Sequence, residues 1–284
     1  MFGKLDPSPP VAKANRNMVS PDRFGEENLA LAGGSRPFSG GPHPPIAVRL
    51  RNSLKSLIRA TGFDIKRFRP GREEFLESRR IDTILDAGAN TGGFGREVRS
   101  TGFTGRIVSF EPVRPVFEEL TRRIAPDPLW TAHHVALSDR NGTAVINVSH
   151  DTTFSSLDNI TPAALSFDEA AATERRETVE LRRLDSFAAE IEGERLFLKI
   201  DTQGHEKRVM AGVGGLLERI HGVQLELSIS TFYENNWSMA EALDFMAASG
   251  FAPTHFRPNN FHRRDPIAIV DLDCIFRRIE PGMD

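Results

Sequence analysis

The sequence predicts an α/β fold, a mainly parallel sheet covered by helices on both faces. From residue 81 onward, apolar strand-like runs alternate with segments of helical periodicity. Several of these runs end in an acid, at Asp86, Glu111 and Asp201. The first acid is followed at once by the turn Ala87-Gly88-Ala89-Asn90-Thr91-Gly92 and then by a helix.

Each element follows from local pattern. The opening strand runs through Ile81-Asp82-Thr83-Ile84-Leu85 to Asp86, whose carboxylate falls at the edge where open α/β sheets bind ligands. Glycines let backbone N–H groups approach that ligand, and the helix beginning Gly93-Phe94-Gly95 turns its positive end to the same crevice. A second strand spans 106–111, and the helix after it carries Val113, Phe117, Leu120 and Ile124 on its apolar face. A third strand is expected over 130–137, with Asn141-Gly142 as a tight turn into 143–148. Residues 149–177 are polar and irregular, with a short helix, before a β-like run at 178–184; connections of that length are commonly functional or disordered.

The fourth main strand is 195–201, and Val209, Val213, Leu216, Leu217 and Ile220 trace one helical face beyond it. Residues 222–227 form the fifth strand, and a helix with Met239, Leu243, Met246 and Ala247 stops at Gly250. Two closing strands, 252–257 and 267–276, are joined by a short polar loop with Pro258-Asn259-Asn260 and pair antiparallel.

Residues 1–45 are rich in proline and glycine and poor in large apolar residues, so a disordered arm is expected there. Residues 46–80 form an N-terminal helical extension, in which Ile46, Leu50, Leu54, Leu57 and Ile58 recur at helical spacing between basic residues. Such a helix packs on its own domain or lies on a membrane or partner. The 284 residues, 39% of them hydrophobic, suffice for one sizeable core. A net charge of -3 gives no global attraction for nucleic acid, and Cys274, the single cysteine, forms no intrachain disulfide. With no apolar run long enough for a transmembrane segment or a signal peptide, a soluble, cytoplasmic protein is expected.

Glu111 lies 19 residues after Gly92, about where a nucleoside-binding βαβ unit places the carboxylate that accepts both ribose hydroxyls. The turn has neither the G-x-G-x-x-G spacing that wraps a pyrophosphate nor the spacing and lysine that hold a triphosphate. A phosphate-free adenosyl ligand, S-adenosyl-L-methionine, fits better.

The motifs resemble the FkbM-type S-adenosylmethionine-dependent methyltransferases, a branch of the Rossmann-like methyltransferases. The resemblance rests on Leu85-Asp86-Ala87-Gly88-Ala89-Asn90-Thr91-Gly92, Phe110-Glu111-Pro112, Val135-Ala136-Leu137-Ser138-Asp139 and Leu184-Asp185-Ser186-Phe187. Most specific is Leu198-Lys199-Ile200-Asp201-Thr202-Gln203-Gly204-His205-Glu206, with Gln224-Leu225-Glu226-Leu227 in support. It implies a Rossmann-like seven-stranded sheet with a C-terminal antiparallel strand, and a methyltransferase domain over 81–278. It also implies roles: Asp86 and Gly88 at the methionine moiety, Asn90 and Gly92 in the turn around the ligand, Glu111 at the ribose, and Ser138 and Asp139 at the adenine edge. Asp139 reads equally as an Asx turn closing a hairpin at Asn141-Gly142. Phe154-Ser155-Ser156 matches a serine-rich patch of the family and is placed to close over substrate.

Family members methylate sugars, glycans and macrolide natural products, so the expected acceptor is a hydroxyl of a small molecule or glycan and not nucleic acid. His205, Asp201 and Glu226 are the candidate catalytic residues, because a sugar hydroxyl needs a base or a metal before it attacks. His205 has the best intrinsic pKa for a base, against the alternative of a helix-start residue. No metal ligands are assigned; a divalent metal is compatible with two carboxylates and a histidine but not demanded by their spacing. The remaining histidines are scattered. An NAD-dependent oxidoreductase or epimerase is the first rival, although its glycine fingerprint is missing and the sole tyrosine, Tyr233, has no lysine four residues on. A non-catalytic adenosyl-binding module is the second.

Overall fold

The computed structural model describes residues 71–280; the expected arm at 1–45 and most of the extension at 46–80 lie outside them. Within 46–80, helix α1 (Arg72–Ser78) is described, and its Phe75 and Leu76 are buried. The elements that follow are β1 (Thr83–Ala87), α2 (Gly93–Ser100), β2 (Arg106–Phe110), α3 (Arg114–Ile124), β3 (Trp130–His133), β4 (Ala136–Leu137), β5 (Gly142–Ser149) and α4 (Pro162–Phe167). Then come β6 (Thr173–Arg182), β7 (Leu196–Ile200), α5 (Glu206–Ala211), β8 (Ile220–Ser228), α6 (Met239–Ala248), β9 (Phe251–His262) and β10 (Asp265–Arg278).

The main sheet has seven strands in the order β3-β2-β1-β7-β8-β10-β9. The first five in that order are parallel, while β10 runs antiparallel to both β8 and β9. β1 and β7 are buried along their whole length, as near-continuous apolar runs require at the centre of a two-sided sheet. Their side chains alternate between two cores. Leu85, Leu198 and Ile200 face one with Val209, Leu216 and Met246, while Ile84 and Phe197 face the other with Phe75, Val98, Leu120 and Trp130. Chain order reverses between β1 and β7, so the crevice lies beyond their carboxyl ends, beside Asp86 and Asp201. Among the described residues no helix is long and apolar enough to cross a membrane.

Four expectations need correction. Pro258-Asn259-Asn260 is not the loop between the closing strands: it lies inside β9, paired with β10, and the turn falls at Arg263-Arg264. Residues 130–137 are not one strand: β3 ends at His133, and β4 belongs to a separate three-stranded sheet of order β4-β6-β5. Strand propensity persists across 134–135, but the chain bends there to leave one sheet for the other. Asn141-Gly142 closes no hairpin, because β6 lies between β4 and β5. The Asn141 side chain instead accepts a hydrogen bond from the Arg183 N–H, so the Asx-turn reading of Asp139 loses its hairpin. The helix expected to reach Ile220 stops at Ala211. Gly212 packs so closely that a Cβ would lie 2.0 Å from the Ser138 carbonyl oxygen, Gly214 takes a positive φ of 52°, and a 3-10 turn over Gly214–Arg219 delivers Ile220 into β8. Val209, Val213, Leu216 and Ile220 are buried all the same, Leu217 only partly.

The tightest backbone constraint is at Gly88, where φ is +73° and a Cβ would lie 1.9 Å from the Asp201 carbonyl oxygen. Gly88→Ala is therefore expected to lower the unfolding free energy by about 3 kcal/mol through strain and displaced backbone. A urea denaturation midpoint equal to wild type would show that β1 and β7 do not clamp this turn.

Candidate active site

A cavity of about 260 Å³ opens at the crevice between β1 and β7. One end is lined by Phe110, Pro112, Val113, Val135, Leu137 and Ile146, a mostly apolar slot. The other carries Asp201, Gln203, Glu226, Ser228, Asn260 and Asp271, and Thr152 to Leu157 supply further wall. Four lining residues are carboxylates (Glu111, Asp201, Glu226, Asp271), and among the described residues none of the lining is Lys or Arg.

Six of the ten residues singled out in the sequence line this cavity: Gly88, Asn90, Glu111, Asp201, His205 and Glu226. Gly88 and Asn90 both take positive φ, and the Gly88 and Ala89 N–H groups donate to the Phe110 carbonyl, folding the turn over the end of β2. Glu111 is buried. One carboxylate oxygen accepts from the Asn90 N–H at 2.9 Å and the other from the Val113 N–H at 2.9 Å. Burial raises its pKa to about 7 against the opposing pull of those two hydrogen bonds.

The other four sit elsewhere. Asp86 is fully buried beneath the cavity floor, ion-paired to Lys199 at 3.2 Å and within 3.4 Å of the Ser109 hydroxyl. Gly92 caps α2 at φ 80° and packs on Leu120 and Trp130. Ser138 is fully buried and hydrogen-bonds His205, while Asp139 is half-buried and paired with Arg140 at 3.2 Å. None of these four lines the cavity.

On the acceptor side, Asp201 accepts from the Gln203 side-chain amide at 2.7 Å and lies 3.5 Å from the Lys199 ammonium. Glu226 accepts from the same amide at 3.0 Å. Burial, then repulsion by Asp201 and Asp271, holds the Glu226 pKa well above the ordinary carboxylate value. Asp271 is raised too, by burial, although Asn260 hydrogen-bonds both its oxygens. His205 precedes α5, but it does not act as a side-chain cap. Its Nδ1 lies 3.3 Å from Asp158 and its Nε2 3.0 Å from the Ser138 hydroxyl, so both ring nitrogens have partners inside the protein. Burial alone would raise the Asp158 pKa, but hydrogen bonds from His205 and Asn235 bring it below the ordinary value. Glu206 turns back to accept from the Thr202 and Gly204 N–H groups, closing the loop after β7. Among the described residues no group of three or more His, Cys, Asp or Glu side chains is arranged to hold a metal ion.

Lys199, Gln203, Asp158, Tyr233 and Asp271 escaped the sequence reading as site residues. Lys199 carried a signal: a lone cation in the apolar run Leu196-Phe197-Leu198-Lys199-Ile200 requires a buried partner. Asp271 showed in the alternation with Asp273 along the last strand. Asp158 lies in an aperiodic stretch and Tyr233 follows no motif, so tertiary contact alone brings them in.

Residues 86–253 match the Methyltransferase FkbM domain family. Among curated proteins none matches the chain significantly. Solved structures with a similar trace include the magnesium protoporphyrin IX methyltransferase of Synechocystis with bound S-adenosylmethionine, at 9% identity over 85% of this chain and 87% of that one, TM-score 0.41. Another is a putative RNA methyltransferase of Pyrococcus horikoshii, at 10% identity over 73% and 82%, TM-score 0.40. A third is the Burkholderia thailandensis 1,6-didemethyltoxoflavin-N1-methyltransferase with its substrate and S-adenosylhomocysteine, at 13% identity over 87% and 94%, TM-score 0.39.

Beneath the cavity, Asp86 is compensated by a single buried ammonium. Burial raises the Asp86 pKa and Lys199 opposes the rise. Lys199→Met strands that carboxylate and is expected to cost about 3–5 kcal/mol at neutral pH. A raised folded-state pKa means that the folded chain holds the proton more tightly than the unfolded one, so stability is lost as pH rises above the carboxylate range. The variant should therefore come closest to wild type near about pH 5 and fall furthest behind near about pH 8, and adding Asp86→Asn should recover part of the loss. Equal deficits at both pH values in urea unfolding would show that Asp86 does not need the ammonium.

Proposed function

The chain belongs to the FkbM methyltransferase family, and from that premise we propose that it transfers the methyl group of S-adenosylmethionine to a hydroxyl of a sugar, glycan or related natural product. The observation that carries this reading is one continuous cavity that joins Glu111 and the turn at Gly88 and Asn90 to the carboxylates Asp201 and Glu226. The apolar slot beside Glu111 suits an adenine ring, and Glu111 suits the ribose hydroxyls. A lining without Lys or Arg among the described residues favours an adenosyl ligand that lacks phosphates over a dinucleotide. The same lining, with a net charge of -3, supports a small-molecule or glycan acceptor over nucleic acid.

Bound S-adenosylmethionine supplies an electrophilic methyl on a sulfonium, which leaves as S-adenosylhomocysteine when the acceptor oxygen takes the carbon. The residues at the acceptor end hold that oxygen in line and receive its proton. Asp201 is the better placed of the two carboxylates to accept it, because burial and neighbouring acids favour the protonated form of Glu226, which can donate a hydrogen bond to a neighbouring acceptor oxygen. His205 serves by holding Ser138 and Asp158 beneath this wall. Gly92, Ser138 and Asp139 in this reading shape the turn and the adenine end, and Asp86 holds the floor.

Glu111 provides the test of the cofactor. The ionised carboxylate accepts from both ribose hydroxyls, whereas the protonated acid accepts less well. S-adenosylhomocysteine affinity should accordingly rise as pH climbs through the Glu111 pKa of about 7. Glu111→Gln should flatten that profile and weaken binding by roughly 1.5–3 kcal/mol, a ten- to hundredfold effect in calorimetry. Tighter binding of NAD than of S-adenosylmethionine would overturn the assignment.

Turnover tests the acceptor end. With an acceptor identified by transfer of labelled methyl, Asp201→Asn should lower kcat by on the order of a hundredfold or more. Glu226→Gln and His205→Ala should also reduce kcat, while S-adenosylhomocysteine affinity changes little in all three. Near-normal turnover in all three would move the acceptor elsewhere. Loss of wild-type activity on chelation, with recovery on adding Mg²⁺ or Mn²⁺, would assign the carboxylates to a metal instead.

A further inference from the structure

We propose that Gln203 is a positioning residue that fixes Asp201 and Glu226 as one unit and couples that unit to the cavity wall at 152–157. The proposal rests on the reading of Asp201 and Glu226 as the acceptor-side carboxylates. Gln203 sits at φ 55°, a backbone conformation that non-glycine residues seldom adopt. The loop is held in that shape from both sides, by Glu206 on the Thr202 and Gly204 N–H groups and by Tyr233, whose Cβ would lie 2.7 Å from a Cβ at Gly204.

The strained backbone aims the side-chain amide at the two carboxylates. Nε2 has two protons, and both are used: one to Asp201 at 2.7 Å and one to Glu226 at 3.0 Å. The reverse orientation would set the amide oxygen against two carboxylates, so chemistry fixes which end faces them. Oε1 in turn accepts from the Tyr233 hydroxyl at 2.8 Å, and that hydroxyl also lies 3.2 Å from the Phe154 carbonyl. Tyr233 is buried, which raises its pKa and keeps it a neutral donor. The Gln203 carbonyl meanwhile accepts from the Ser156 hydroxyl at 2.6 Å. One residue therefore joins Asp201, which would receive the acceptor's proton, and its neighbour Glu226 to the cavity wall at 152–157. If acceptor entry moves Phe154, the Tyr233 hydroxyl and the amide move with it, and the carboxylate geometry changes in step.

Two substitutions in the full chain separate these links. Gln203→Met removes the amide and keeps the length; Tyr233→Phe removes only the hydroxyl. The readouts are the ¹³C titration of the Glu226 carboxyl, identified by its loss in Glu226→Gln, and amide hydrogen exchange over 152–157. Gln203→Met should move the Glu226 midpoint upward by about one pH unit, the equivalent of one lost charge-assisted hydrogen bond. It should also speed exchange at 152–157 by at least roughly tenfold, a local opening that costs the Tyr233 link. Tyr233→Phe should speed that exchange and leave the midpoint in place, an asymmetry that general loosening would not produce. Should Gln203→Met fail to fold, Gln203→Glu must still raise the midpoint, because it adds an acid where a donor stood. An unmoved midpoint in the Gln203 variants, unmoved exchange in Tyr233→Phe, or equal midpoint shifts in both would overturn the proposal. Calorimetry of wild type with S-adenosylhomocysteine, run alongside, reports on the cofactor reading alone: its failure would leave the coupling measured by titration and exchange intact.

Discussion

A single buried ammonium organises the crevice. Lys199 stands opposite Asp86 in the parallel register of β7 with β1, and its Nζ lies 3.2 Å from Asp86, 3.5 Å from Asp201 and 3.0 Å from the Gly88 carbonyl. Burial alone would strip the proton from such an amine, yet the two carboxylates hold its pKa above the ordinary value. Taking these charges out of water is costly, and the cost is met only in this geometry. The ion group therefore fixes how the ends of β1 and β7 meet. It also fixes where the turn after β1 begins, since one of the three oxygens that hold the ammonium belongs to Gly88. From that turn the Asn90 N–H reaches Glu111, so the position of the carboxylate at the end of β2 is set through the same chain of contacts.

The two ends of the cavity use burial differently. Glu111 lies in an apolar slot with two backbone donors, and desolvation raises its pKa against the pull of those hydrogen bonds. Glu226 lies among other acids, and repulsion from Asp201 and Asp271 adds to desolvation. An isolated carboxylate near its midpoint at neutral pH is a group that a hydroxyl-bearing ligand can ionise by binding. A carboxylate crowded by its own kind titrates together with its neighbours and not alone. The cavity thus has one end where burial acts on a single acid and another where neighbouring acids add to it.

The strands and the acids at their ends were legible in the sequence because they depend on local pattern. Apolar runs of 81–85 and 196–200, an acid, and glycines that must take positive φ encode the crevice within a few residues of chain. Where strand or helix pattern continued past a change of partner, the sequence misled. Residues 130–137 are extended on both sides of 134–135, and nothing local says that β4 belongs to another sheet. The apolar spacing of Val209, Val213, Leu216 and Ile220 is kept by a short helix, a 3-10 turn and a strand in succession, because each buries the same face against the same core. Asp86 shows the same limit at the site. Its place at a strand end was readable, but its complete burial against Lys199, outside the cavity lining, was not.

The cavity wall away from β1 and β7 is the part with least local encoding. Residues 134–183 leave the main sheet, build the three-stranded sheet that packs on Val113 and Val116 at the start of α3, and return Ser156 and Asp158 to the loop after β7. β9 and β10 bring Asn260 and Asp271 from the far edge. These contributions are single polar side chains outside β1 and β7, so a substitution at one of them changes the cavity wall without disturbing the ion group that holds β1 to β7. The floor of the site depends on a buried charge balance that admits few alternatives, whereas its wall is assembled from separate contacts. On physical grounds, then, the wall can change while the ion group stays fixed, and Gln203, bonded to Asp201, Glu226 and the wall, is the residue through which such changes would first reach those carboxylates.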